Sequence, residues 1–171
     1  QIEFFPKNNI NKKVSYLDVI NNFKIDVAIV AVPDHLHSEI CINIMRKSIH
    51  CLVVKPLAPT TKEAKKMILT AKKYKVVSEV EFHKRFDIAN LILHNKIQNN
   101  ELGKLQYATI EYSQRKIIPE KIFSKWVSKT NIFQYLGVHY VDLISFLTNF
   151  KPLGVIAWGQ KDYLKSKKIN T

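Results

Sequence analysis

Cys51-Leu52-Val53-Val54-Lys55-Pro56 is the stretch whose reading decides the fold. Its apolar residues carry no polar interruption, which predicts a strand buried on both faces, the pattern of a parallel sheet covered by helices. Lys55 then stands at the strand's carboxyl end. In open parallel sheets that edge lines a crevice where ligands bind. Pro56 fixes its own φ and pushes Lys55 toward an extended backbone, so the ammonium is aimed by the chain as well as by packing. Sequence leaves the isomer of the Lys55-Pro56 bond open.

Upstream, Ile25-Asp26-Val27-Ala28-Ile29-Val30-Ala31-Val32 is a second apolar run, stopped by Pro33 and Asp34. From His37 to Lys47 the residues Ile40, Cys41, Ile44 and Met45 recur at helical spacing. Strand, helix and strand make one βαβ unit ending at Lys55. Downstream the unit repeats. Thr60 and Glu63 are placed for a reciprocal capping box, Ala64, Met67, Ile68 and Ala71 form a buried stripe, and Val76 to Val80 reads as a third strand. Before the first strand, a polar Lys7 to Lys13 stretch gives way to a helical turn at Tyr16 to Ile20.

The character changes after Phe82. A short helix at Ile88, Leu91 and Ile92 leads to Gly103, the first glycine of the chain. Leu105 to Ser113 alternates like a half-exposed strand. A basic loop carries Trp126 between Arg115 and Lys129, a long apolar helix runs from about Asn131 to Leu147, and another strand is expected at Val155 to Gln160. The predicted fold is therefore α/β: a partial Rossmann-type parallel sheet over residues 1–82, followed by part of a second, α+β domain over residues 83–171.

A dinucleotide-binding sheet normally opens with a strand and a glycine-rich turn, because only glycine lets backbone approach the pyrophosphate closely. No glycine precedes Gly103 here. Without that first, central strand, the strand at Val27 has an unpaired apolar edge. An internal piece of a longer protein is the favoured explanation, over a partner that covers the edge.

With 171 residues and 46% hydrophobic content, the chain is long enough to bury a core. No apolar run reaches the roughly 18 residues needed to span a bilayer, and no signal-peptide series opens the chain. A cytoplasmic protein without a membrane partner is expected. Cys41 and Cys51 have no metal-ligand spacing and read as reduced packing residues. The formal charge of +13 invites a nucleic-acid role. Many of the lysines, such as Lys62, Lys65, Lys66, Lys72 and Lys73, fall on outward helix faces, however, and no reading motif accompanies them.

Four motifs, on the strand ends and the late helix, carry a resemblance. They are Ala31-Val32-Pro33-Asp34-His35-Leu36-His37, Val54-Lys55-Pro56-Leu57-Ala58, His83-Lys84-Arg85-Phe86-Asp87 and Gly137-Val138-His139-Tyr140-Val141-Asp142. In this order, from about Asp26 to Tyr163, the chain resembles the family of glucose-fructose oxidoreductase and inositol dehydrogenase (Gfo/Idh/MocA), enzymes that use NAD or NADP on sugars, cyclitols and nucleotide sugars. The resemblance implies an N-terminal Rossmann domain and a C-terminal domain whose open sheet mediates homo-oligomerisation. It further implies that Lys55 is the catalytic lysine, that His139 is its proton-transfer partner, and that Pro33, Asp34, His37, Lys55 and Pro56 contact the cofactor. The sequence departs from the family pattern in three ways. Val54 replaces a usual glutamate, Tyr135 stands where an aspartate or asparagine is common, and the glycine-rich loop is outside the chain.

The residues support that chemistry independently in part. A desolvated lysine at a strand end, facing a cationic ring, has its pKa lowered toward the range of a general base; the bland alternative is a snorkelling surface lysine. Tyr135, His139 and Asp142 lie four and three apart and share a helix face. Asp142 is then placed to orient His139, and Tyr135 to offer a hydroxyl to substrate; alternatively, His139 is a core histidine. Asp34 and His37 face the same crevice, with helix N-capping by Asp34 as the structural alternative. Arg85 either binds substrate or pairs with a carboxylate. His35, His50 and His94 have no partner at ligand spacing, so no metal is expected. The piece alone is expected to be inactive. A non-catalytic scaffold that kept the fold is the alternative to an enzyme.

Overall fold

A computed structural model describes residues 2–3, 13–160 and 163–167. The polar stretch at Lys7 lies mostly outside them. β1 (Ile2–Glu3) and β2 (Lys13–Val14) pair antiparallel. The seven-residue helix α1 (Tyr16–Asn22) follows, its N-terminus capped by Ser15 Oγ, which accepts from the Leu17 N–H.

The apolar runs form β3 (Val27–Val30), β4 (His50–Val54) and β5 (Ser78–Glu81), a parallel sheet in the order β3-β4-β5. Val30 stands opposite Val53 and Val54 opposite Glu81, so all three strands end at one level. α2 (His37–Met45) and α3 (Thr61–Tyr74) are the crossovers, as their apolar spacing predicts. The two helices pack on each other, and α2 lies on β3 and β4. Between them and the sheet lies a core of Val30, Ile40, Cys41, Ile44, Met45, Ile49, Cys51, Val53 and Met67. Both cysteines are free and buried. Thr60 caps α3 by accepting from the Glu63 N–H, and its hydroxyl donates to the Glu63 carboxylate at 2.6 Å.

The expectation of strands buried on both faces is corrected. Helices cover one face only: Cys51 and Val53 are sealed beneath them while Leu52 and Val54 are half-buried. On the edge strand Ile29 stays 69% exposed. An apolar run reports that a residue prefers burial, not that a neighbour is there to bury it.

After β5 a 3₁₀ turn (His83–Phe86) leads into α4 (Ile88–Gln98), longer than the short helix expected. It packs against α5 (Val138–Thr148), where Gln98 Nε2 donates to the Leu147 carbonyl at 2.9 Å and the His94 and Phe146 rings stack at 4.5 Å. The predicted helix over 131–147 is split: a π-helical turn at Phe133–Gly137 precedes α5. The basic loop carries a second π turn (Ile118–Ile122) and a 3₁₀ turn (Val127–Lys129). A short α6 (Tyr163–Ser166) follows.

The strands expected at 105–113 and 155–160 are also corrected. Neither is assigned to a ladder among the described residues, and Tyr107 is 84% and Val155 86% exposed. Alternating side chains suit a strand, but a strand exists only where a neighbour supplies the other half of its hydrogen bonds.

Candidate active site

The carboxyl ends of β3, β4 and β5 open toward the π turn before α5, and the sequence-predicted residues gather there. Lys55 follows β4 through a cis Lys55-Pro56 bond. Its half-buried ammonium donates to the Tyr135 carbonyl at 2.5 Å and lies 3.6 Å from the centroid of the Tyr135 ring. Two residues distant in sequence thereby meet. Burial lowers the Lys55 pKa, opposed by the negative charges of Asp34 and Glu81.

Tyr135 is itself held by rings: Phe123 meets it edge-on at 4.7 Å, and Trp126 packs on Phe123 at 4.3 Å. The π turn explains how its backbone is presented. Gly137 leaves space for the Phe133 ring, which a Cβ there would meet at 2.5 Å. Widened turns of this kind recur at functional sites.

His139, on the first turn of α5, is 3% exposed, and its Nδ1 has no hydrogen-bond partner among the described residues. Burial, then the nearby positive charge of Lys55, then His83, lower its pKa to about 4, so the ring is neutral at physiological pH. His83 lies edge-on to it at 4.5 Å, and the His83 Nδ1 contacts the Glu81 carboxylate at 3.0 Å. A neutral buried imidazole with an unmatched nitrogen is a costly arrangement unless a ligand completes it.

Asp142 does not orient His139. Its carboxylate takes the Arg85 guanidinium in a two-pronged pair, Nε to Oδ2 at 2.7 Å and Nη2 to Oδ1. The same guanidinium sits 5.3 Å from the Phe82 ring centroid and 5.4 Å from that of Phe146. Of the two roles open to Arg85, the carboxylate pair is the one found. Asp142 lies one turn beyond His139 on α5, but an arginine fifty-seven residues earlier in the chain reaches its carboxylate first.

Asp34 and His37 follow β3 near the crevice, but both side chains are already engaged. The buried Asp34 carboxylate accepts from Thr130 Oγ1 at 2.8 Å and from Gln134 Nε2 at 3.4 Å. It caps no helix: Pro33 occupies the N-cap position of the 3₁₀ turn Asp34–Leu36, with no side-chain cap. The fully buried His37 ring contacts the Pro56 carbonyl at 2.7 Å through Nδ1 and the Val32 carbonyl at 2.8 Å through Nε2. The ring thereby bridges the loop after β3 and the loop after β4. These side chains shape the crevice wall rather than reach into it.

Four contributors escaped the sequence reading. The Tyr135 carbonyl carried no signal, since a backbone atom has none. Thr130 and Gln134 are recognisable only once the loop is folded onto Asp34. Glu81 had a faint signal: it ends β5 in register with Val54, so a carboxylate stands one strand away from the position where the resemblance leads one to expect a glutamate.

Residues 2–82 match a family model described as an oxidoreductase family with an NAD-binding Rossmann fold. Over 142 residues the chain is 30% identical to levoglucosan dehydrogenase of Pseudarthrobacter phenanthrenivorans, covering 80% of this chain and 36% of that protein. Over 129 residues it is 27% identical to D-glucoside 3-dehydrogenase of Escherichia coli (strain K12), covering 74% and 37%. Among solved structures, an oxidoreductase domain protein from Kribbella flavida superposes with a TM-score of 0.70 at 25% identity, over 79% of this chain and 37% of that one. The WlbA dehydrogenase from Chromobacterium violaceum, solved with NADH and UDP-GlcNAcA, shares the fold with a TM-score of 0.69 at 21% identity, over 78% and 40%. The chain spans little more than a third of the length of these curated relatives.

Proposed function

The chain belongs to the Gfo/Idh/MocA family of oxidoreductases, and from that premise we propose that it serves an NAD(P)-dependent reaction at a hydroxyl or keto carbon of a sugar, cyclitol or nucleotide sugar. In this reading residues 1–82 contribute to the cofactor domain and residues 83–171 to the substrate and oligomerisation domain of a cytoplasmic homo-oligomer. The observation that carries it is one convergence: the half-buried Lys55 ammonium lies close enough to His139 for its charge to lower the pKa of a buried ring whose Nδ1 is unpartnered.

A nicotinamide held at the strand ends beside Pro33, Lys55 and Pro56 would supply the hydride acceptor or donor. Loss of hydride from a carbinol carbon gives a carbonyl only if the hydroxyl proton also leaves, and Lys55, deprotonated more readily than a free lysine, takes it. In the reverse direction Lys55 returns that proton to the carbonyl oxygen. His139, neutral at working pH, uses its free nitrogen to hold the substrate hydroxyl or to pass the proton on. Tyr135 sets the ammonium's position through its carbonyl and its ring. Asp142 and Arg85, locked together, fix α5 against the turn after β5 and so keep His139 in place. The donor set suits the cofactor: Pro33, Lys55 and Pro56 border the crevice at the strand ends, while Asp34 and His37 brace those turns from behind.

Lys55→Ala in the complete protein tests the assignment. Turnover is expected to fall by roughly 10²–10⁴-fold, the usual contribution of a positioned acid or base, while NADH or NADPH binding stays measurable. Near-normal turnover in that variant removes Lys55 from the reaction, and a complete protein that binds neither dinucleotide is the non-catalytic scaffold instead.

A further inference from the structure

Beside the crevice lies a second space that the hydride chemistry does not use. It is a cavity of about 1000 Å³ between the basic loop, the π turn and the segment carrying Trp158. Arg115, Lys116 and Lys129 line it, and among the described residues no carboxylate does. The loop's one acid, Glu120, is engaged by the Tyr163 hydroxyl at 2.5 Å. The chain is basic throughout, and Lys62, Lys65, Lys66, Lys72 and Lys73 stand on the open face of α3; here three cations converge on one concave surface. Its walls are also aromatic. Trp158 is 88% exposed, and the Lys116 ammonium lies 4.3 Å from the Tyr163 ring centroid.

Tyr135 stands between the cavity and the reacting end, lining the one and holding the Lys55 ammonium at the other. Thr130 and Gln134, also in the cavity lining, are pinned to the first sheet by Asp34. A ligand whose alcohol sits at Lys55 therefore extends past Tyr135 into a basic, ring-walled space. A free monosaccharide or cyclitol is too small to use that space and has no charge for three cations to meet. A diphosphate matches the cations, which suit phosphate oxygens, and a nucleobase matches an exposed indole face.

We infer that the substrate is a sugar linked to a nucleoside diphosphate, with the sugar at Lys55, the diphosphate among Arg115, Lys116 and Lys129, and the base toward Trp158. This rests on the proposed oxidoreductase reading for its sugar end and goes beyond it in choosing among substrate classes.

The test is binding rather than turnover. UDP, uridine, myo-inositol and NADH are titrated into the complete protein and followed by tryptophan fluorescence and calorimetry. UDP is expected to bind at least about tenfold more tightly than uridine, the equivalent of one charge-assisted contact. Its affinity should weaken as salt is raised across roughly 50–300 mM, as screening requires, and myo-inositol should leave it unchanged. Arg115→Ala with Lys129→Ala should weaken UDP by about tenfold or more and leave NADH affinity unchanged. Because both residues are exposed, folding should survive, and Trp158→Ala gives an independent check by reducing the preference for UDP over pyrophosphate.

UDP binding no tighter than uridine, UDP binding indifferent to both variants, or competition between UDP and NADH for one site each overturns the inference. The two readings fail separately. A protein that oxidises free sugars and ignores UDP keeps the enzyme and loses this substrate class. One that binds UDP as described but neither binds NADH nor turns over keeps the nucleotide site and loses the enzyme.

Discussion

The sheet and the late extended segments are made of similar residues and meet opposite fates. Cys51 and Val53, in β4, have strands on both sides and α2 and α3 above, and they are sealed. Tyr107, Val155 and Ile156 have the same apolar character and lie open. The difference is one of partners, since a parallel ladder with its crossover helices supplies both hydrogen bonds and cover within one short stretch of chain. The half of the molecule that completes itself locally also carries Lys55, so the lysine proposed to react rests on the best-packed ground available.

The sharpest way to break that contrast is a pair of matched truncations. Ile44, 2% exposed in α2, touches the centre of the sealed core. Ile44→Ala should cost about 2–5 kcal/mol, the range for a buried large-to-small change. Val155→Ala should stay within about 0.5 kcal/mol, as open surface changes do. Urea midpoints at constant slope give both numbers; equal losses would mean that Val155 is covered in solution and that the two regions do not differ.

Next in size is the pH dependence of His139, which belongs to the junction between the regions. Its pKa of about 4 lies below the ordinary 6.5, so between those values the unfolded chain holds the extra proton and the folded chain does not. Stability therefore rises with pH through that window, is complete above about 6.5 and is lost as pH falls toward 4. A shift of this size corresponds to on the order of 3 kcal/mol. His139→Phe should flatten the melting temperature between pH 4 and 6.5 relative to the parent; an unchanged slope would place the imidazole in water.

Asp142→Asn probes the same junction with a smaller effect. Losing a charge-assisted pair with a partly exposed arginine should cost about 1–3 kcal/mol. If Asp142 only positions α5 through Arg85, the acid limb of the kcat/KM profile should stay where it is. A moved limb would return Asp142 to the role of orienting His139.

These junction contacts mark where sequence stopped being informative. The strand at 50–54 and the two crossovers were legible because apolar runs and helical spacing are local properties. Lys55 was legible as a site because strand ends are special in open sheets. The unpaired edge of the Val27 strand was legible too, but the exposure of Val27 and Ile29 was not, since an apolar run does not say which face stays uncovered. Nor was the break in the predicted long helix: Tyr135, His139 and Asp142 are spaced as one face of a regular helix, and the π turn depends on a phenylalanine ring lying over Gly137. The pairing of Arg85 with Asp142 lies in the distance between two motifs, which spacing within either one cannot reveal.

The smallest expected effect concerns Glu81, and it tests whether the sheet itself tunes the lysine. Val54 offers no charge beside Lys55, but the neighbouring strand does, because Glu81 stands in register with Val54 and its carboxylate holds the Lys55 pKa up against burial. Glu81→Gln removes that opposition, so the Lys55 pKa should fall further and the neutral amine persist to lower pH. The acid limb of kcat/KM should then move to lower pH in the complete protein, while Val54→Glu, adding a carboxylate one strand nearer, should move it the other way. Opposite displacements from two adjacent strand ends would mean that the parallel ladder delivers charge to the lysine as well as support. A limb that ignores both would leave desolvation and Asp34 as the controls.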